Sequence, residues 1–170
     1  AQSANTPPKI SAKEEKTLLD AIKEKIKVTD NDWAENRKQF YIAEEKSFFA
    51  NNIVKQDVIA LNSGVQYKLV KKGTGKTPKI KDTVTINYRG TLLDGTEFDS
   101  SYKRGKADSF TLNDMIPGFS EAMLQVPDGS KVIIYIPTHY AYKEKGADGV
   151  PPHAALIFEV ELNGIKSGFF

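Results

Sequence analysis

The chain has no cysteine, which excludes disulfides, thiolate catalysis and thiolate-bound zinc together. Histidine is almost as scarce: only His139 and His153 occur, at no spacing that pairs imidazoles on one face, so no metal site is expected. An excess of one charge is missing too, since 24 Lys and Arg against 22 Asp and Glu leave a net charge of +2. The lysines are interleaved with glutamates, and without a basic stripe to follow phosphates no nucleic-acid partner is expected. No run approaches the roughly 18 consecutive apolar residues of a membrane helix. No Ser-His-Asp or paired-carboxylate arrangement points to a nucleophile or proton shuttle. Gly75-Lys-Thr77 resembles the end of a phosphate-binding loop, but Val70 stands where the first glycine belongs and Pro78 where the helix would begin. It reads as a surface turn, and no cofactor is expected.

What the chain does have is enough length for one sizeable core plus an appendage: 170 residues, 39% hydrophobic and 27% charged, the composition of an ordinary globular protein. Residues 1–10 are small, polar and proline-bearing, and predict a disordered lead-in. The opening Ala1-Gln-Ser-Ala, without Met, is the start expected of a trimmed or engineered product. Residues 11–61 form an N-terminal helical region and linker. Ser11-Ala-Lys-Glu14 has the form of a capping box ahead of Leu18, Leu19, Ile22 and Ile26 at helical spacing. Thr29-Asp-Asn-Asp32 then starts a longer helix to about Asn51, free of Gly and Pro and carrying Trp33, Phe40, Tyr41, Phe48 and Phe49. Two such helices cannot bury both apolar stripes in a core of their own. They dock on the rest of the chain or on a second copy, and the residues allow both.

After Asn51 the periodicity changes from about 3.6 toward 2, first over Ile53 to Leu61, and the domain expected from residue 62 to 170 is strand-like. Val84, Ile86 and Tyr88 alternate on one face, Lys131 to Pro137 contains the apolar run Val-Ile-Ile-Tyr-Ile, and Leu156, Phe158, Val160 and Leu162 alternate again. Ser120-Glu-Ala-Met-Leu-Gln125 is the one helical stretch, with Ser120 as its expected cap, and Pro127-Asp-Gly129 is a turn. The predicted fold is α+β: an antiparallel sheet wrapped around one short helix, preceded by an α-helical segment. Within it, an Asp94-Gly95 reversal leads to Phe98 and Asp99. Strand neighbours point to opposite faces, so these two share a cavity only if the backbone bulges there. Aromatics stand at other element ends as well: Tyr88, Phe110, Phe119, Tyr142 and, in the last strand, Phe158. With Asp99 they suggest a lined concavity for a small ligand.

At these residues the sequence resembles the FKBP-type peptidyl-prolyl isomerases. The match is carried by Asn87-Tyr-Arg-Gly-Thr-Leu-Leu-Asp-Gly-Thr-Glu-Phe-Asp-Ser-Ser101, Met115-Ile-Pro-Gly-Phe119, Tyr140-Ala-Tyr142 and Val150-Pro-Pro-His-Ala-Ala-Leu-Ile-Phe-Glu-Val-Glu-Leu162. Phe48-Phe-Ala-Asn-Asn followed by Asn62-Ser-Gly-Val-Gln-Tyr67 is similar to the junction of the Mip-like bacterial branch, where helices precede the isomerase domain. The resemblance implies cis-trans isomerisation of X-Pro bonds in folding clients, with chaperone activity, or alternatively a weakly active or inactive module that binds proline-containing segments. It implies catalytic roles for Asp99, Tyr142, Phe98 and the Ile116 backbone, and substrate binding by Tyr88, Phe110, Met115, Phe119, Val150 and Phe158. Where Phe119 stands the family usually has Trp, and where Lys143 stands it commonly has Gly. Macrolides of the FK506 and rapamycin type are implied inhibitors. A homodimer through the N-terminal helices and a periplasmic or cell-surface location, after export and with a membrane anchor in the precursor, complete the expectation.

Overall fold

The structure is a computed structural model that describes residues 11–26 and 30–168. The expected lead-in 1–10 and Thr29 of the second start signal lie outside them. The chain divides into two compact units, residues 1–39 and 40–170, so the second half of the long helix belongs with the sheet.

In the first unit, helix α1 runs Ala12–Ile26 and starts as its residues predict. Ser11 Oγ accepts the Glu14 N–H at 3.1 Å, satisfying one of the orphan donors of the first turn. Helix α2 spans Asp30–Asn52, with Asp30 and Asp32 at the end where the helix dipole favours negative charge. Arg37 approaches Glu15 at 3.8 Å, and Trp33 shares a hollow with Ala12 and Leu19. On α1, Leu18 is 54% and Ile22 37% exposed.

In the second unit, α2 turns Tyr41 and Phe48 toward the core, and the Phe48 ring stands 5.8 Å from that of Tyr135. Phe40, the neighbour of Tyr41, stays exposed. The last turn is held by polar contacts. Buried Asn52 donates through Nδ2 to Gln66 Oε1 at 2.9 Å, and Gln66 Nε2 donates to the Phe49 carbonyl at 3.1 Å. Glu45 accepts the Thr138 N–H at 2.5 Å.

Among the described residues seven strands follow: β1 Val58–Ala60, β2 Gln66–Lys71, β3 Thr83–Leu92, β4 Glu97–Ser100, β5 Asp108–Thr111, β6 Lys131–Ile136 and β7 Leu156–Lys166. All pairs are antiparallel, in the order β1-β2-β6-β7-β3-β4. β5 takes the first half of β3, Thr83 to Ile86, and β4 the second, Arg89 to Thr91. The alternation expected in β3 and β7 is present: Val84, Ile86, Tyr88, Leu156, Phe158, Val160 and Leu162 are all buried. The stretch 53–61, which has strand-like spacing, forms turns except for the three residues of β1.

Between β5 and β6 lies helix α4, Pro117–Met123, whose Phe119, Ala122 and Met123 are wholly buried. It begins three residues before the expected Ser120. Pro117 occupies the first turn, where its fixed φ suits the helix and its missing N–H costs nothing. Ser120 is no cap: inside the helix, its hydroxyl donates to the Leu112 carbonyl. Gly118 is required here because a Cβ would sit 2.4 Å from Ile136 Cγ2.

The clamp at Gln66 generates a stability prediction. Gln66→Ala leaves the buried Asn52 amide without its partner and takes one of two donors from the Phe49 carbonyl, which keeps the Ile53 N–H, and destabilises the second unit by about 1–3 kcal/mol. Urea unfolding of the full chain followed by circular dichroism checks it; an unchanged midpoint would show that the clamp contributes nothing.

Candidate active site

The site is built from the β3–β4 hairpin. Leu92 accepts the Gly95 N–H at 3.0 Å and donates to the Thr96 carbonyl at 2.9 Å, so the loop is Leu93-Asp94-Gly95. Of these, only Gly95 has positive φ, at 91°. This is a three-residue loop closed by a left-handed glycine, in place of a two-residue Asp-Gly reversal. Asp94 serves it through its side chain, accepting the Thr96 N–H at 2.8 Å.

Beyond the loop the pairing slips by one residue. Gly90 faces Asp99, and Thr91 faces Glu97. Phe98 is therefore the extra residue of a bulge, which lets it and Asp99 turn to one cavity. Gly90 makes room for it: a Cβ there would lie 2.6 Å from Phe98 Cζ and 3.0 Å from Phe158 Cε1. From the other side Gly149, at φ 76°, backs onto Phe98, and a Cβ there would meet Phe98 Cβ at 3.1 Å.

The resulting cavity holds about 290 Å³ and is lined by Ile86, Tyr88, Phe98, Asp99, Phe110, Asp114, Met115, Ile116, Phe119, Tyr142 and Phe158. Phe158 is its hub. It meets Phe119 edge-on at 5.2 Å and 84°, Phe98 at 5.6 Å and 88°, and Tyr88 at 6.3 Å. Tyr88 in turn stands edge-on to Phe110 at 5.8 Å. Such T-shaped contacts place the positive edge of one ring on the negative face of another. They hold the walls at fixed angles, so the space between them keeps its shape.

One corner is polar. The Tyr88 hydroxyl donates to Asp99 Oδ2 at 2.5 Å, and Arg104 donates to Asp99 Oδ1 at 2.6 Å and to the Tyr88 oxygen at 3.0 Å. Arg104 also binds the Asp108 carboxylate. Burial pushes the Asp99 carboxyl up, but the hydrogen bonds from Tyr88 and Arg104 outweigh it and hold the group below the usual aspartate range. Burial, then the bond to Asp99, pushes Tyr88 up to about 12. Tyr142 is raised by burial first and by the Asp99 charge second. At neutral pH the corner is thus one carboxylate facing protonated phenols.

All of the sequence-predicted residues line this cavity except Val150. That residue is buried in the core, in a tight turn where Ala147 and Val150 exchange backbone bonds of 3.0 and 2.9 Å. Lys143 has a left-handed backbone, φ 53°, the conformation that glycine adopts most readily. Ile86, Asp114, Arg104 and Asp108 are the participants that pattern reading misses. Arg104 had a legible signal: Ser100 caps a one-turn helix, α3 (Ser101–Arg104), and Gly105 ends it at φ 76°. That turn brings Arg104 back over Asp99.

An antiparallel sheet over a short helix, with an aromatic cavity and a single polar corner, is the architecture the resemblance implied. The chain belongs to the FKBP-type peptidyl-prolyl cis-trans isomerase family, whose model matches residues 74–163. It is 44% identical over 137 residues to the FKBP-type peptidyl-prolyl cis-trans isomerase FkpA of Aeromonas hydrophila, covering 81% of this chain and 49% of that protein. It is 40% identical over 125 residues to the outer membrane protein MIP of Legionella longbeachae, covering 73% and 54%. The crystal structure of FkpA from Escherichia coli superposes with a TM-score of 0.78 at 36% identity, over 93% of this chain and 74% of that one. The chain spans about half the length of the curated relatives it matches.

The polar corner makes a titration prediction. In Arg104→Met the burial that opposes ionisation persists while one of the two main hydrogen bonds is lost, so the Asp99 pKa rises. In the wild type the depressed pKa contributes stability that is present above the ordinary value near ~4 and is lost as pH falls through the folded value. That pH dependence shrinks in the variant. Carboxyl-carbon NMR titration reads both; an Asp99 pKa that does not move would dismiss the Arg104 contact.

Proposed function

We propose that the cavity catalyses cis-trans isomerisation of X-Pro bonds in polypeptide clients and that chaperone activity accompanies it. The observation that carries this reading is an aromatic cavity of about 290 Å³ whose floor, Phe119, is wholly buried and whose charged lining groups are two carboxylates, Asp99 and Asp114. An X-Pro amide is held planar by resonance, with a barrier of about 18–20 kcal/mol, and turns over in tens of seconds unaided. The twisted transition state has lost that resonance and much of its charge separation. Apolar walls that strip water from the amide therefore raise the planar form more than the twisted one.

In this reading Phe119 floors the proline ring, and Tyr88, Phe98, Phe110 and Phe158 wall it, with Met115 at the side. The Ile116 N–H, which donates to no group among the described residues, and the Tyr142 hydroxyl hold the substrate carbonyls. Asp99 keeps 40% of its side chain exposed. That exposure suits a group at the cavity wall, which orients Tyr88 and meets the twisted carbonyl electrostatically. Val150 supports the wall from behind through its turn. A second reading, a module that binds proline segments with little turnover, is favoured by Phe119 alone, a smaller floor than the family's usual Trp.

The similarity to a relative named as an outer membrane protein supports a place in the cell envelope. Leu18 and Ile22, exposed four residues apart on α1, support the pairing of two copies through the N-terminal helices.

Two experiments follow. In a protease-free assay on a short X-Pro peptide, Asp99→Ala and Phe98→Ala each lower kcat/KM by about 10- to 100-fold, roughly 1.4–2.7 kcal/mol. The wild-type rate stays level between about pH 6 and 9, because Asp99 remains ionised and Tyr88 protonated, and an FK506-type macrolide inhibits it. Wild-type rates in both correctly folded variants would sink the assignment, and suppression of aggregation without peptide turnover selects the binding module. Separately, light scattering of the full chain returns the mass of two copies, and Leu18→Asp with Ile22→Asp returns that of one. A single-copy mass for the unaltered chain removes the dimer.

A further inference from the structure

We propose that the cavity prefers prolines flanked by a lysine or arginine, with Asp114 as the residue that sets the preference; this rests on the isomerase reading above.

Among the described residues, the charged side chains that line the cavity are Asp99 and Asp114, and no cation lines it. Asp114 ends the single turn Leu112–Asp114. It is followed by Met115 and Ile116, which line the side where a substrate backbone would pass. It is exposed, and no described residue forms an ion pair with it.

The cations around the cavity are already engaged or balanced. Arg104 is shared by Asp99 and Asp108, so that network carries one net negative charge. Arg89 and Lys103 both bind Glu97, a network that carries one net positive charge, but none of the three lines the cavity. After Tyr142 the loop holds Lys143 and Lys145, but also Glu144 and Asp148, which cancel. Lys106 is exposed and does not line the cavity. The charge on the lining itself is therefore negative, and the apolar walls focus that field. A lysine or arginine beside the proline fits it twice over. The aliphatic stem lies on Met115 while the charged head reaches Asp114. A glutamate at the same place is repelled.

The test uses the full chain and six short peptides, Lys-Pro, Leu-Pro and Glu-Pro with the matching Pro-Lys, Pro-Leu and Pro-Glu set. At low salt kcat/KM for the lysine peptide exceeds that for the glutamate peptide by about fivefold or more in at least one set. The ratio falls toward one as salt approaches about 0.5 M, where screening is nearly complete over the distances involved. Asp114→Asn at least halves the ratio, and Asp114→Lys brings it below one. Turnover of Leu-Pro with ratios within twofold of one in both sets overturns this inference and leaves the isomerase reading standing. A high ratio that Asp114→Asn does not change overturns the role of Asp114. Absence of turnover for all six peptides overturns both readings.

Discussion

Between Gly90 and Thr91 on one strand, and Glu97 and Asp99 on the other, the β3–β4 hairpin pairs two residues against three. The cavity depends on that inequality. Regular pairing would send Phe98 and Asp99 to opposite faces of the sheet, separating the wall from the polar corner. The bulge turns both inward, and it is possible only because Gly90 leaves Phe98 the space a Cβ would fill. The rest of the site is arranged around this step. Phe158 on β7 packs against the displaced Phe98, α4 sets Phe119 beneath Phe158, and Gly149 closes over Phe98 from outside.

The polar corner has a different logic. Tyr88 is buried, but Asp99 and Arg104 are part-exposed, and exposed ion pairs contribute little to stability. Their value lies in direction. Arg104 fixes one carboxylate oxygen and Tyr88 the other, so Asp99 presents a fixed charge to the cavity. Arg104 also holds Asp108 at the start of β5, which ties the corner to the strand that carries Phe110. The wall aromatics and the polar corner are thereby one assembly, and shape and charge change together.

In the proposed reading, such a site works by shape and exclusion of water. An amide rotation needs no group to attack and no proton to move, only an environment that suits the twisted form better than the planar one. That accounts for a sequence without a recognisable nucleophile in a family of enzymes. At position 119, where the family usually has Trp, Phe keeps the cavity lining aromatic, and Lys143 has a left-handed backbone at a position where glycine is common.

Local pattern was enough for the strands of the core. The alternation of β3 and β7, the capping box at Ser11 and the turn at Gly129 involve residues a few positions apart, whose spacing decides which face is apolar. The adjacency of Phe98 and Asp99 already demanded a bulge, because a period of two admits no other way for both to face inward. Tertiary contacts decided the remainder. Ser120 has the chemistry of a cap, yet Pro117 starts the helix and the Ser120 hydroxyl binds Leu112 instead. Val150 falls within a family motif, but its turn directs it into the core, behind the cavity. Arg104, Asp108 and Asp114 lie in a polar stretch that looks like solvated surface. They become part of the site only when α3 folds back over Asp99 and the turn at Leu112 lifts Asp114 to the rim. Spacing along the chain reports which residues share a face, whereas charge pairing across the cavity depends on distances that only the packed fold creates.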